Sequence, residues 1–413
     1  MTTPPPRSPA EYWPLDPAVT YLNHGSFGAC PQPVLDAQAE LRAQMEREPV
    51  RFLDVQLEAR LDEARQALAN FVDGQPADIA FVTNATTGVS TVLRALAFAP
   101  GDELLTTDHE YNAVRNALDT VARASGARVV TARVPFPLSS PDEAVEAVTS
   151  AATARTRLAV ISHVTSPTAL VLPIERIVGQ LAERGIDTLV DGAHAPGMVP
   201  LALDRLAAAY YAGNCHKWLC APKGSGFLWV RRDRPAGICP LVVSHGANSP
   251  RTERSRFLLE FDWTGTADPT AWLAIPAAID FIGRLDPDGW AGLMAHNHRL
   301  VVTARELLGR RLDITAPAPA EMIGAMAALD LPADVVPPAA PRPPDAPPGA
   351  TYPPDALREV LFERFAIEVP VFAWPGVPDP ARPRRRLVRI SAQAYNSLPD
   401  YERLADALTK LRN

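Results

Sequence analysis

The feature that most constrains this chain is an alternation through its first half. Short apolar runs of strand length are each followed by a polar cluster and then by an apolar pattern at helical spacing. Ile79-Ala80-Phe81-Val82 leads into Thr83-Asn84-Ala85-Thr86-Thr87-Gly88 and a helical pattern at Val89, Val92, Leu93 and Leu96. Glu103 to Thr107 opens onto Asp108-His109-Glu110-Tyr111-Asn112 ahead of a helix through Arg123. Arg128 to Val134 is strand-like and precedes a helix over 141–153; Leu158 to Ser162 leads into His163-Val164-Thr165-Ser166-Pro167-Thr168 and a helix over 173–184. Strands alternating with helices of this length specify a mostly parallel sheet covered on both faces. The expected fold class is therefore α/β, a three-layer sandwich with a mostly parallel central sheet in a large domain, plus a smaller α+β domain. Polar residues cluster after the strands, the end at which open α/β sheets take ligands.

The most informative stretch runs from Thr188 to Val230. An apolar run delivers Asp191 into Gly192-Ala193-His194-Ala195-Pro196-Gly197, and an aromatic-rich run ends at Asn214-Cys215-His216-Lys217-Trp218. A carboxylate and a lysine thus both stand where strands emerge into loops. In an apolar, glycine-flanked setting desolvation lowers a lysine's pKa and makes its amine a nucleophile able to form an imine. A buried carboxylate needs a partner, and a protonated ring nitrogen would be one; a structural ion pair between Asp191 and an Arg or His is the alternative. The pattern suits a cofactor with a basic ring nitrogen at one end and an aldehyde at the other.

Other segments leave two accounts open. Small and hydroxylated residues at 84–87 either expose backbone N–H groups to an anion or cap a helix. The run Tyr21-Leu22-Asn23-His24-Gly25-Ser26-Phe27-Gly28 reads as a strand-to-loop transition beside a ligand, although a tight turn needs the same glycines. Helices are expected on either side of Pro49 within 33–70, over 270–285 and 289–310, near 355–365 and over 399–411, with strands over 225–230, 367–373 and 387–391. Residues 1–18 form a proline-rich arm and 332–354 a proline-rich surface excursion.

A formal net charge of −7 argues against a nucleic-acid or membrane-surface role. The first residues lack a basic start followed by an apolar segment, so a cytoplasmic protein is expected. Cys30, Cys215, Cys220 and Cys239 fall into no metal-binding spacing and read as thiols; no metal is expected.

Eight motifs in one order carry a family likeness: YLNHGSFG (21–28), NATTG (84–88), TDHEYNA (107–113), SHVTSPTA (162–169), DGAHAPG (191–197), NCHKWLCAPKGSGF (214–227), WTGTAD (263–268) and RISAQAYN (389–396). With them the chain resembles fold-type I pyridoxal-phosphate enzymes of the class V aminotransferase and cysteine desulfurase superfamily, in the isopenicillin N epimerase-like branch. The resemblance implies pyridoxal 5′-phosphate as cofactor. It implies that Lys217 holds it as an internal aldimine, that Asp191 pairs with its ring nitrogen, and that His194 and Ser166 sit near its phenolic oxygen. Ala85, Thr86, Thr87, Asn214 and His216 would hold the phosphate, and Tyr111, rather than its neighbour His109, would cover the ring. Arg389 fits the arginine that clamps a substrate carboxylate, with a surface position in a basic tail as the alternative; Asn23 and His24 are further substrate-side candidates. A homodimer is implied, in which Gly265 and Thr266 reach the partner's phosphate. The domains expected are an N-terminal arm over 1–20, a large PLP-binding domain over 21–285 and a small C-terminal domain over 286–413, with part of the N-terminal segment packing on the last.

The implied reaction forms an external aldimine with an amino acid or peptide and then a quinonoid carbanion. Epimerisation at Cα in specialised metabolism, such as antibiotic biosynthesis, is the first reading. A second, a C–S β-lyase or a decarboxylating oxidative deaminase acting on an S-alkyl-cysteine conjugate, needs the same residues. Epimerisation also needs a second proton donor, for which His24, Cys30 and Tyr111 are candidates by placement. No cysteine lies between the proline-rich excursion and Arg389, which disfavours persulfide-forming desulfuration. A scaffold that has lost turnover is the non-enzyme reading, against which the intact lysine, carboxylate and arginine stand.

Overall fold

The computed structural model describes residues 8–335, 355–376 and 382–412. Most of the proline-rich excursion and the start of the N-terminal arm lie outside the described residues. The strands, in chain order, are β1 (Thr20–Tyr21), β2 (Ile79–Val82), β3 (Glu103–Thr107), β4 (Arg128–Ala132), β5 (Thr156–Ser162), β6 (Asp187–Gly192), β7 (Tyr210–Asn214), β8 (Gly226–Val230), β9 (Met326–Asp330), β10 (Ile367–Glu368), β11 (Val371–Trp374) and β12 (Arg385–Ser391).

Seven of them form one sheet in the order β2-β8-β7-β6-β5-β3-β4. Only β8 runs against the rest, pairing antiparallel with both β7 and β2. The period of two explains the layering. Leu158 and Val160 of β5 pack into the apolar cluster on one face, with Leu104, Leu189 and Ala212. Ala159 and Ile161 pack into the cluster on the other, with Leu105, Val190 and Tyr211. A strand buried on both faces reads as a continuous apolar run, which is how these strands read in the sequence.

A second layer system is smaller. β11-β12-β9 form an antiparallel sheet, and β10 pairs with β1 in parallel, Thr20 opposite Ile367 and Tyr21 opposite Glu368. The helices Gly289–Leu312, Ala356–Phe365 and Leu398–Lys410 cover these strands, and Leu22 joins their core. The architecture is the expected α/β sandwich with a smaller companion unit.

Three local differences have physical reasons. The expected strand over 367–373 is two strands, because Pro370 has no N–H to donate to a ladder and the chain changes partner there, from β1 to β12. β9 was absent from the sequence expectations: its Met-Ala-Ala-Leu core has helix-favouring composition and becomes a strand through pairing with β12, Arg389 opposite Ala328. The polar stretch over 244–270 contains a short helix, Arg256–Phe261, whose Phe257, Leu258 and Phe261 are buried against the large sheet. Among the described residues no helix is long and apolar enough to cross a membrane, and no cluster of His, Cys, Asp and Glu could hold a metal ion.

Candidate active site

The parallel strands β5, β6 and β7 lie side by side and deliver Ser162, Asp191 and Asn214 to one edge of the sheet, with Ser162 in register with Asp191. A cavity of about 220 Å³ opens there. Two close approaches build its walls. Gly88, in the helix Ala85–Ala95, seats that helix on β7: a Cβ at this position would lie 2.9 Å from that of Ala212. Gly28 has φ +72°, and a Cβ there would lie 2.1 Å from the His216 carbonyl, so the 24–28 turn rests directly on the Lys217 backbone.

Lys217 is half-buried at the cavity wall, its Nζ 3.1 Å from His194 Nε2. Trp218 Nε1, which can only donate, points at His194 Nδ1 at 3.4 Å. That makes Nδ1 the acceptor and leaves the proton of the neutral ring on Nε2, facing the lysine. The amine must then accept, which requires its lone pair. The electrostatics agree: burial first, and the Arg389 charge second, push Lys217 down to about 7, with Asp191 opposing. Burial likewise holds His194 well below its ordinary value, so the ring is neutral.

Asp191 is buried, and its Oδ1 accepts from the Ala193 N–H at 2.9 Å. Burial raises its pKa. Among the described residues it forms no ion pair with an Arg or His, so the structural ion pair entertained from sequence is not what the fold provides. Arg389 is the converse case: a buried guanidinium with no carboxylate partner among the described residues. It donates to the Ser166 carbonyl at 2.6 Å, to Ser166 Oγ at 3.2 Å and to Ser26 Oγ at 3.2 Å, and its Nε has no hydrogen-bond partner. Burial pushes it down to about 10. Both serines line the cavity.

The helix start at 84–87 divides between the two accounts left open. Asn84 caps: its Oδ1 accepts from Thr87 N at 2.9 Å and from Thr87 Oγ1 at 3.1 Å. The Ala85 N–H is taken by Asn214 Oδ1 at 2.8 Å. Thr86 lines the cavity with its N–H free of partners among the described residues, so one donor at a helix N-terminus is left for an anion. Asn214, His216 and Tyr111 line the same cavity, the last 47% exposed at its mouth.

Several expected site residues stand elsewhere. His109 is buried away from the cavity, bonded to Thr168 Oγ1 at 2.7 Å and to the Val134 carbonyl at 3.0 Å and packed on Trp374. Asn23 is engaged by Glu368 at 2.7 Å and by Ser26. His24 lies behind the lysine, between Tyr395 Oη at 2.9 Å and the Lys217 carbonyl at 3.0 Å, and burial pushes it down to about 3. With both nitrogens engaged away from the cavity, it is a brace and not a proton donor. Cys30, the other candidate donor, does not line the cavity, and burial pushes its thiol up to about 12. Gly265 and Thr266 are exposed and line no part of this protomer's cavity.

Sequence reasoning passed over Glu110, Ser162, Ser26 and Phe27. All four stand inside the quoted motifs, but nothing in their spacing distinguishes them from neighbouring polar or turn residues.

These side chains fit pyridoxal phosphate. A neutral half-buried amine, an unpaired buried carboxylate and an open helix N-terminus lie on one cavity, matching the aldehyde, the ring nitrogen and the phosphate in turn. The family model for aminotransferase class-V matches residues 20–331. Isopenicillin N epimerase of Amycolatopsis lactamdurans is 41% identical over 411 residues, with 96% of each chain covered. A probable chloroplastic L-cysteine desulfhydrase of Arabidopsis thaliana is 30% identical, covering 96% of this chain and 83% of the relative. Among solved structures, the apo cysteine desulfurase of Thermococcus onnurineus NA1 superposes with a TM-score of 0.78 at 19% identity over 98% of each chain, a likeness of fold.

The state of the amine is testable in the cofactor-free protein. Its rate of condensation with added pyridoxal phosphate, followed by absorbance, should rise about tenfold per pH unit and level off above pH about 7. A rate still climbing at pH 10 would mean that Lys217 behaves as a solvated lysine.

Proposed function

Because this chain belongs to the class-V aminotransferase family of pyridoxal-phosphate enzymes, we propose that it epimerises the Cα centre of an amino acid or small peptide. The observation that carries this reading is the 41% identity to an isopenicillin N epimerase along 96% of both chains, joined to a cavity with proton-carrying groups on two flanks.

Bound in the cavity, the cofactor supplies an aldehyde that condenses with amines and a ring that accepts the electron pair left when a bond to Cα breaks. The chain's residues do the rest. Asp191 keeps the ring nitrogen protonated, because a buried carboxylate without a partner gains most by pairing with a cation. Arg389 takes the substrate carboxylate, and its fork fixes which Cα bond stands across the ring. Lys217 Nζ would remove or return the Cα proton, with His194 Nε2 orienting its lone pair.

Inversion needs a second proton carrier on the opposite side. In the strand order β7-β6-β5-β3, Lys217 follows β7 and Tyr111 follows β3, with Asp191 and Ser162 between them. The two groups therefore enter the cavity from different strands, and with the cofactor held there Tyr111 Oη would serve as the second carrier. The desulfhydrase relative favours an alternative in which the same Cα deprotonation by Lys217 is followed by loss of a sulfur group from Cβ, with Tyr111 a ring cover only.

The protein works as a homodimer in this reading, with Gly265 and Thr266 contributing to the partner's phosphate site. Support comes from apolar surface that a monomer would leave wet: Val50 is 76% and Val243 69% exposed, at or near an open groove of about 540 Å³ between the first helices and the 245–263 segment. That groove is larger than the cavity but holds no lysine and no unpaired buried charge.

Isopenicillin N incubated with the enzyme in deuterium oxide should invert at Cα with deuterium uptake. Tyr111→Phe should lower inversion by about 10²–10⁴ while Cα–H exchange with retention persists through Lys217. Release of a thiol with ammonia and an α-keto acid would favour the lyase, and equal loss of exchange and inversion would remove Tyr111 from its role. For the dimer, inactive Lys217→Ala and phosphate-site Thr266→Glu chains should regain activity when refolded together; continued inactivity in the mixture would count against a shared site.

A further inference from the structure

We propose that Glu110 is held as a neutral carboxylic acid behind the cavity wall, bonded to the lining residue Ser162, a positioning residue that leaves Asp191 the single negative charge available to a bound ring nitrogen. Only that last consequence rests on the cofactor reading above; the protonation is a property of the protein itself.

Glu110 follows β3 and is 4% exposed. Its Oε1 accepts twice, from Ser162 Oγ at 2.6 Å and from the Tyr111 N–H at 2.8 Å. Its Oε2 is fully buried and has no hydrogen-bond partner. A buried oxygen without any donor costs far more when it shares a negative charge than when it is a neutral O–H lacking an acceptor, so the asymmetry favours the protonated carboxyl. An ionised carboxylate in this place would need a cation, and among the described residues Glu110 has no Lys, Arg or His within ion-pair distance.

The groups facing it can be named from each element. β5 supplies Ser162, in register with Asp191 on β6, and Glu110's own turn supplies the Tyr111 N–H. Asp191 is thus one strand beyond the serine that Glu110 holds, and two uncompensated carboxylates this near cannot both ionise. Asp191 is the member that ionises, because its Oδ1 already accepts the Ala193 N–H and its side chain lines the cavity where a cation can reach it. Burial first, and the Asp191 charge second, push Glu110 up to about 8.

One oxygen of Glu110 therefore ties β5 to the residue before the helix Asn112–Ser125, fixing Tyr111 at the cavity mouth relative to Asp191 at its floor. Were Glu110 to ionise, Asp191 would share its role with a second negative charge lying deeper in the sheet.

The test uses the cofactor-free full chain and infrared spectroscopy with glutamate-selective ¹³C labelling, which separates the Glu110 band from those of buried aspartates such as Asp262. Near pH 7 a labelled C=O stretch of a protonated acid should appear in the wild type and in Asp191→Asn, be missing in Glu110→Gln, and fade only above pH about 8. Its absence from the wild type, its persistence in Glu110→Gln, or its loss in the ordinary carboxyl range would overturn the proposal. Thermal unfolding gives a second reading. The folded pKa lies above the unfolded one, so wild-type stability is lost relative to Glu110→Gln as pH rises from the ordinary carboxyl range to about 8; parallel pH profiles would overturn the assignment. Cofactor affinity then separates positioning from simple packing: Glu110→Gln, which keeps an uncharged group of the same shape, should bind pyridoxal phosphate within about threefold of wild type, whereas Glu110→Ala should bind it at least about tenfold more weakly. A Gln variant as weak as the Ala variant would contradict the neutral-acid role, even with the cofactor site itself intact.

Discussion

An amine whose charged form is disfavoured is the constraint on which the rest of this structure depends. Lys217 has little solvent to hold a proton for it, and its side-chain polar neighbour, His194 Nε2, is turned by Trp218 into a donor. The lysine's lone pair is therefore exposed to whatever enters the cavity. Around it the fold buries Asp191 without a cation and Arg389 without a carboxylate. Each of these costs free energy that a better-paired arrangement would not. Asp191 lines the cavity and Arg389 bonds two serines that line it, an arrangement that is intelligible if a ligand brings the missing counter-charges, a ring cation for Asp191 and a carboxylate for Arg389.

The sheet makes this arrangement possible by registering strand ends. Asp191 and Ser162 are opposed on β6 and β5, and Asn214 ends β7 beside them. The walls come from distant sequence. The 24–28 turn closes on the Lys217 backbone, while Ser391 Oγ receives the Gly25 N–H at 3.1 Å, so this turn is fastened both to the smaller sheet and to the lysine. Arg389 on β12 reaches Ser26 and Ser166, joining the smaller sheet, the N-terminal turn and the loop after β5 in one set of hydrogen bonds.

The central sheet was legible in the sequence because strands buried on both faces leave unbroken apolar runs, as Leu158 to Ile161 and Leu189 to Val190 do. Lys217, Asp191 and Arg389 were conspicuous for a related reason: each is a charged residue beside an apolar run. β9 was not, since Ala327 and Ala328 favour helix and only the register with β12 makes them strand. Asn23, His24 and His109 misled because a polar residue after a strand can point into a cavity or back into the protein, and sequence does not carry that choice. Glu110 was hidden beside the more conspicuous Tyr111. Its interest lies in an oxygen without a partner, which only three-dimensional accounting reveals. The split at 84–87 shows the same limit: helix capping and anion binding use the same residues, and here Asn84 and Thr87 serve the first while Thr86 stays open to the second.

The chain contains only three lysines, Lys217, Lys223 and Lys410, which makes the central claim open to a direct measurement. Reducing the pyridoxal-phosphate-loaded protein with borohydride converts any imine into a stable secondary amine, and peptide mass mapping then locates it. The account predicts one label per chain, on the peptide carrying Lys217. A label on Lys223 or Lys410 in its place, or a protein that carries none after saturation with the cofactor, would contradict it.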